Sequence, residues 1–253
     1  MKLLLKEILA RFGYRLSRAT PTETPKPAEA LFDLTEEERE NVRAAQPLTM
    51  TGPARLATLV QAVTYVVRNR IPGDIAECGV WRGGSMVTVA LTLLALGDTS
   101  RRLYLYDTFE GMSEPIERDR DFSGRSAGTL LQEEAPGAGV WAFAGLDDVK
   151  NNVLTTGYPA DQIVFVPGKV EETIPATMPE SLALLRLDTD WYESTRHELI
   201  HLYPLLSRLG LLIIDDYGHW QGAREATDEF LRTLPEPLYL HRIDYTARLA
   251  VKT

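Results

Sequence analysis

Short apolar runs alternate along this chain with longer segments whose apolar positions recur at helical spacing. Asp74-Ile75-Ala76-Glu77-Cys78, Leu103 to Tyr106, Ile163 to Val166, Leu182 to Leu187 and Leu211 to Ile214 have the length and character of buried strands. Between them lie helical patterns. Leu56, Leu59, Val60, Val63 and Val67 follow Pro53, which suits a first helical turn, and that helix ends at Ile71-Pro72-Gly73. Met86 to Leu91 opens a second helix, Asp147 to Thr156 a third, and Tyr192 to Leu206 a fourth that Gly210 stops. Ala223 to Leu231 is a fifth. Leu238 to Arg242 and Arg248 to Val251 read as a closing antiparallel pair. Alternating strands and helices predict an α/β fold. We expect a doubly wound, mainly parallel, seven-stranded sheet with helices on both faces and an antiparallel C-terminal strand.

The N-terminal part has another character. Residues 1–18 are basic and amphipathic, and 19–30 carry three prolines and read as a linker. Thr35 and Glu38 have capping-box spacing, so a short acidic helix runs to about Ala45. The expected division is an appendage over 1–45 and one domain over 46–253. Within the domain, 108–145 is long, irregular and rich in Gly, Ser, Glu and Arg. It follows the second strand, and we read it as a lid or acceptor-binding loop, with a disordered insertion as the alternative.

Composition narrows the partners. With 253 residues, 44% of them hydrophobic, a sizeable core is possible. A net charge of -9 argues against nucleic acid. The single cysteine, Cys78, excludes an internal disulfide and a cysteine metal site, and fits a cytoplasmic protein. There is no apolar run of about 18 residues to span a bilayer. The basic N-terminal segment lacks the features of a secretory signal. It is suited to peripheral contact with a membrane surface, or to packing on its own domain or a partner subunit in a homo-oligomer.

The chemistry concentrates where strands end. The first strand runs into Gly79, Gly83 and Gly84 and then into a helix, the opening of a nucleotide-binding unit. Glycines allow close approach of a ligand, and a helix start offers free N–H groups. The pattern is not GxGxxG, because Trp81 stands two after Gly79. Asp107, closing the second strand, is placed to accept hydrogen bonds from both ribose hydroxyls of a nucleoside cofactor, and Glu77 to turn toward the same ligand. Asp188 and Asp190 end one strand, Asp215 and Asp216 the next. Neighbouring strands lie about 4.8 Å apart, so these carboxylates converge. Like charges that close need neutralising, and oxygen ligation suits Mg²⁺. Helix capping is the alternative, though an Asp-x-Asp and an Asp-Asp after successive strands argue for ligation. His197 and His201, four apart on a helix, lack an HExxH core and read as surface residues, whereas His219 follows the aspartate pair closely enough to reach the site.

Four segments in order, PGDIAECGVWRGGS, LYLYDTFEGM, LLRLDTDWYEST and LLIIDDYGHWQGAREA, resemble the macrocin, mycinamicin and novobiocin-type sugar O-methyltransferases from about Leu48 onward. That family has the class I, Rossmann-like fold, uses S-adenosylmethionine and depends on Mg²⁺. The resemblance implies that Glu77, Gly79, Val80, Trp81, Arg82 and Ser85 hold the methionine part of the cofactor. It places Asp107 and Thr108 at the ribose, Gly168 at the adenine, and Thr49 and Met50 in a segment closing over the cofactor. The metal ligands would be Asp188, Asp215 and Asp216, and the catalytic base Asp190. The implied acceptor is a hydroxyl of a sugar in a glycoside, natural product or glycan. Trp191 departs from the small residue expected beside the base, and the loop from Met112 to Gly145 shares little with the family. A catechol-type methyltransferase would carry a lysine base in the Asp188–Asp190 segment, which has none. A nicotinamide dehydrogenase would leave the strand-end aspartates unexplained, and a non-catalytic binding protein on the same fold would have no need of them.

Overall fold

A computed structural model describes residues 31–133 and 141–253. The amphipathic segment 1–18 and the linker 19–30, with the membrane and subunit contacts expected of them, lie outside the described residues. In chain order the helices are α1 (Glu36–Ala45), α2 (Pro53–Arg68), α3 (Gly84–Ala95), α4 (Ala127–Glu133), α5 (Leu146–Leu154), α6 (Val170–Thr173), α7 (Tyr192–Leu202) and α8 (Gln221–Leu231). The strands are β1 (Asp74–Cys78), β2 (Leu103–Asp107), β3 (Ile163–Pro167), β4 (Leu182–Leu187), β5 (Leu206–Ile214), β6 (His241–Arg242) and β7 (Arg248–Val251). They form one seven-stranded sheet in the order β3-β2-β1-β4-β5-β7-β6. β1 to β5 pair in parallel, and β7 runs antiparallel to both β5 and β6. This is the doubly wound sheet with a reversed C-terminal strand that the apolar pattern predicts.

Period-two alternation divides the core. Ile75, Leu103, Leu105, Leu184 and Ile213 face one side with Leu59, Val63 and Leu93 of α2 and α3. Ala76, Cys78, Tyr106, Leu185, Leu187 and Leu212 face the other with Leu199 and Leu202 of α7. Register then aligns the strand ends. Cys78 lies opposite Tyr106 and Leu187, and Leu187 opposite Ile214. Gly79 N donates to Tyr106 O at 2.9 Å, Asp188 N to Cys78 O at 2.8 Å and Asp215 N to Leu187 O at 2.9 Å. Gly79, Asp107, Asp188 and Asp215 therefore emerge along one rim. It flanks the point where the chain order reverses between β1 and β4, the usual ligand crevice of such sheets.

The capping box at Thr35 is complete: Glu38 N donates to Thr35 Oγ1 at 3.3 Å and Thr35 N to Glu38 Oε2 at 2.8 Å. Three expectations need correcting. The helix expected to run to Leu206 stops at Leu202, and a 3-10 turn at Tyr203–Leu205 includes Pro204, which has no N–H to continue it. Gly210 lies inside β5, which starts at Leu206 rather than Leu211. The strand expected over Leu238 to Arg242 is only His241–Arg242, preceded by Pro235 and Pro237.

Candidate active site

The glycine turn is shaped by what surrounds it. Gly79 has φ +81°, and a Cβ there would stand 2.0 Å from Asp188 O, so the ends of β1 and β4 touch through its missing side chain. Asp107 organises the turn: Oδ2 accepts from Val80 N at 2.6 Å and Trp81 N at 3.0 Å, and Oδ1 from Phe109 N at 2.7 Å. The carboxylate expected at a ribose thus holds the loop first, with Thr108 Oγ1 a second, longer donor to Oδ1 at 3.5 Å. Burial raises its proton affinity against the pull of those N–H groups. A Cβ on Gly84 would meet Leu48 O and Thr49 Cβ at 2.6 Å, so the segment before α2 lies directly on the start of α3.

These elements enclose a cavity of about 330 Å³. Thr49, Met50, Gly79, Val80, Trp81, Ser85 and Asp107 line one end, and Asp188, Asp190, Asp215 and Asp216 the other. Thr108 and Gly168 border a smaller adjoining cavity of about 60 Å³. Two of the expected cofactor residues stand off the lining. Glu77 is buried beneath it, and Arg82 reaches outward to Asp148 at 3.1 Å and Pro47 O at 3.3 Å.

Asp188, Asp215 and Asp216 each offer an oxygen within 4.8 Å of the others. Under them lies a residue the apolar reading passed over. Arg186 is 3% exposed and points to the same sheet face as its cross-strand neighbour Glu77. Its Nη1 donates to Glu77 Oε1 and Asp188 Oδ2, both at 2.6 Å. Its Nη2 donates to Asp215 Oδ1 at 2.6 Å and Thr51 Oγ1 at 3.0 Å. Arg55 of α2 pairs with the other oxygen of Asp215 and with Asp244 at 3.1 Å. Among the described residues, these two guanidiniums face Glu77, Asp188, Asp190, Asp215 and Asp216, which leaves the cluster short of positive charge. Burial accordingly raises the proton affinities of Asp188 and Asp216 well above the carboxylate range, pushes Asp190 up to about 6 and Glu77 up to about 7. Among the described residues Asp188 Oδ1 and Asp216 Oδ1 have no guanidinium partner, and hard carboxylate oxygens converging in negative excess fit a divalent cation.

Asp190 sits at an unusual backbone position. Its φ is +66°, and Trp191 N donates across it to Thr189 O at 2.7 Å, closing a three-residue turn of the rarer, strained hand. The turn presents Asp190 to the cavity, with its N–H on Asp216 Oδ2 at 3.2 Å. Below it Thr189 donates to buried Glu198 at 2.9 Å.

Trp191 is not among the residues that line the cavity. It is buried against Trp220, with ring centroids 4.9 Å apart, in a cluster with Ala127 and Leu131 of the 108–145 loop. Its indole donates to Ser113 O at 3.0 Å. The same loop supplies Asp119, whose Oδ1 accepts from Tyr192 N at 2.8 Å and so caps α7. The described part of this segment is therefore built onto the rim, and Gly111, Met112 and Ala142 line the cavity. His219 lines it too, as its position predicts. His197 is half-buried and bonded to Ile174 O at 2.8 Å, so it is not the free surface residue expected. One charged residue in LALLRL was the sequence signal for Arg186. No local signal marked Arg55, Asp119 or Glu198.

A family model described as macrocin-O-methyltransferase (TylF) matches residues 12–250. The chain is 42% identical over 182 residues to an 8-demethyl-8-(2,3-dimethoxy-alpha-L-rhamnosyl)-tetracenomycin-C 4'-O-methyltransferase of Streptomyces olivaceus, covering 72% of this chain and 67% of the relative. It is 33% identical over 198 residues to a demethyldecarbamoylnovobiocin O-methyltransferase of Streptomyces niveus, covering 76% and 73%. The solved structure of the O-methyltransferase NovP superposes with a TM-score of 0.72 at 32% identity, over 81% of this chain and 82% of that one.

Proposed function

This chain belongs to the macrocin-O-methyltransferase (TylF) family and is an S-adenosylmethionine-dependent O-methyltransferase of class I fold, and from that premise we propose that it methylates a sugar hydroxyl of a glycoside in a Mg²⁺-dependent reaction. The relatives named for rhamnosyl-tetracenomycin and novobiocin acceptors support the substrate class. The observation that carries the reading is the convergence of Asp188, Asp215 and Asp216 beside Asp190, in the same cavity as the glycine turn.

In this reading the backbone from Gly79 to Trp81, with Ser85 and Asp107, holds the methyl donor at one end of the cavity. Thr49 and Met50 cover it. Glu77 acts from below by fixing Arg186, and Thr108 and Gly168 border the nucleoside side. Asp188, Asp215 and Asp216 would hold the cation, which when bound lowers the pKa of a coordinated hydroxyl. Arg186 and Arg55 keep two of those carboxylates aimed inward. Asp190 takes the proton from the acceptor hydroxyl as the oxygen–methyl bond forms and the carbon–sulfur bond breaks. Alignment of oxygen, methyl and sulfur supplies the remainder of the rate, up to about 7–11 kcal/mol in intramolecular reactions.

Asp190→Asn tests the assignment. The expected result is a fall in turnover of roughly 10²–10⁴-fold, with S-adenosylmethionine affinity within about twofold of the native protein. Equal loss of both would make Asp190 a structural or cofactor residue.

A further inference from the structure

Asp190 reaches the cavity on a turn that has to be held. Its φ of +66° and the 2.7 Å bond from Trp191 N to Thr189 O belong to a costly backbone form, which persists only where the surroundings fix it. Each residue of the stretch is tied to another part of the fold. Asp190 N donates to Asp216 Oδ2 at 3.2 Å, the Trp191 indole to Ser113 O at 3.0 Å and Tyr192 N to Asp119 Oδ1 at 2.8 Å. Thr189 is tied by its side chain, whose Oγ1 donates to Glu198 Oε1 at 2.9 Å.

Glu198 is costly where it stands. It has no exposed surface, and its neighbours Leu199 and Leu202 on α7 pack into the apolar core under β4. Among the described residues no cation pairs with it, and its Oε2 has no hydrogen-bond partner. Burial raises its pKa well above the carboxylate range. An apolar side chain would fill the position without this penalty. What the carboxyl adds is an acceptor for Thr189.

The placement of both residues fits that use. Ser194 and Glu198 are four apart and buried on α7, so one face of the helix looks onto the turn. Ser194 Oγ donates to Trp191 O at 3.2 Å. Thr189 continues the row of Leu185 and Leu187 that faces α7, whereas Arg186 and Asp188 belong to the opposite side with the carboxylates. Thr189 therefore joins Asp188 to Asp190 while its own side chain is anchored in the helix. Glu198 lines neither the main cavity nor the smaller one beside it, so it can act on the reaction only through Thr189.

We propose that Glu198 is a positioning residue for methyl transfer, holding through Thr189 the turn that presents Asp190 to the acceptor hydroxyl. This deepens the sugar-methylation reading above and rests on it.

The test compares Glu198→Leu, Glu198→Gln, Thr189→Val and the double variant Thr189→Val/Glu198→Leu, all as full-length protein. Methyl glycosides of several 6-deoxyhexoses serve as acceptors, with S-adenosylmethionine and Mg²⁺. Glu198→Leu lowers kcat about tenfold, the scale of one lost hydrogen bond, with acceptor KM and S-adenosylhomocysteine affinity within about twofold of native. Glu198→Gln, whose amide oxygen still accepts from Thr189, restores kcat to near native. The double variant loses no more than Glu198→Leu alone, because both changes break the same tie. Amide hydrogen exchange of the S-adenosylhomocysteine-bound protein reads the tie without any acceptor: in Glu198→Leu the segment 188–195 exchanges about tenfold faster and β1 and β2 do not change. Native kcat in Glu198→Leu, a glutamine variant as impaired as the leucine variant, additive losses in the double variant, or exchange that rises throughout the protein overturns the positioning role and leaves the sugar reading intact. Methyl transfer to none of the glycosides by the native protein overturns the sugar reading and the catalytic role of the tie with it.

Discussion

Arg186 shows how one residue sets up the site. It is a charge in the middle of a buried strand, satisfied on every side by Glu77, Asp188, Asp215 and Thr51. Desolvating such a group is tolerated only with partners in place, and removing one side of a buried pair costs about 3–5 kcal/mol. Arg186→Met is therefore expected to lose roughly that much stability in urea unfolding, together with activity. A change under about 1 kcal/mol would mean the network is not formed. Glu198 is the opposite case, a buried carboxyl without a cationic partner among the described residues, whose proton affinity burial raises well above its ordinary value. Its folded pKa exceeds its unfolded value of about 4.3, so folding takes up a proton and stability declines as pH rises above that value. Glu198→Gln removes this dependence. Denaturant unfolding should show the variant gaining on the native protein between pH 5 and pH 8, and an equal difference at both pH values would contradict a neutral Glu198. The strand-end aspartates were legible because a short continuous apolar run shows where a strand stops. Arg186, Arg55 and Glu198 were not, since each owes its role to partners far away in sequence.

Among the elements, the segment from Thr108 to Gly145 bears most on the site through its described part. It is built onto the site by three ties: Trp191 to Ser113 O, Tyr192 N to Asp119, and Gln221 N to Arg120 O at 2.8 Å. Trp191, the N-cap position of α7, makes no side-chain cap bond, and Asp119 supplies one from across the fold. A lost cap costs about 1 kcal/mol. Asp119→Ala is thus expected to lower stability by about that amount and to reduce turnover more than cofactor affinity, because it releases the loop from the segment carrying Asp190. Unchanged turnover in steady-state kinetics would show that the loop does not position that segment. Sequence gave most helix and strand boundaries within a few residues because capping and apolar spacing are local. It failed at Pro204 and Gly210, where Leu206 pairs with Leu182 of β4 and Leu209 and Gly210 exchange backbone hydrogen bonds with Lys252, so that Leu206 to Gly210 extends rather than coils.

At the scale of the molecule, the order β3-β2-β1-β4-β5-β7-β6 is what puts the glycine turn and the carboxylates in one cavity. The alternation of strands and helices made the doubly wound sheet readable, whereas the order of strands within it depends on long-range pairing that the pattern does not carry. Within the described residues no helix is long and apolar enough to cross a membrane. The proposed function calls for two adjacent compartments on the rim, one for S-adenosylmethionine at the glycine turn and one for Mg²⁺ at Asp188, Asp215 and Asp216. The most direct test is calorimetric titration of S-adenosylhomocysteine, then Mg²⁺, into the native protein and Asp216→Asn. S-adenosylhomocysteine should bind both proteins alike, and Mg²⁺ should bind the native protein one to one and fail to bind the variant. Absence of Mg²⁺ binding to the native protein, or equal binding to both, would contradict the proposed metal site.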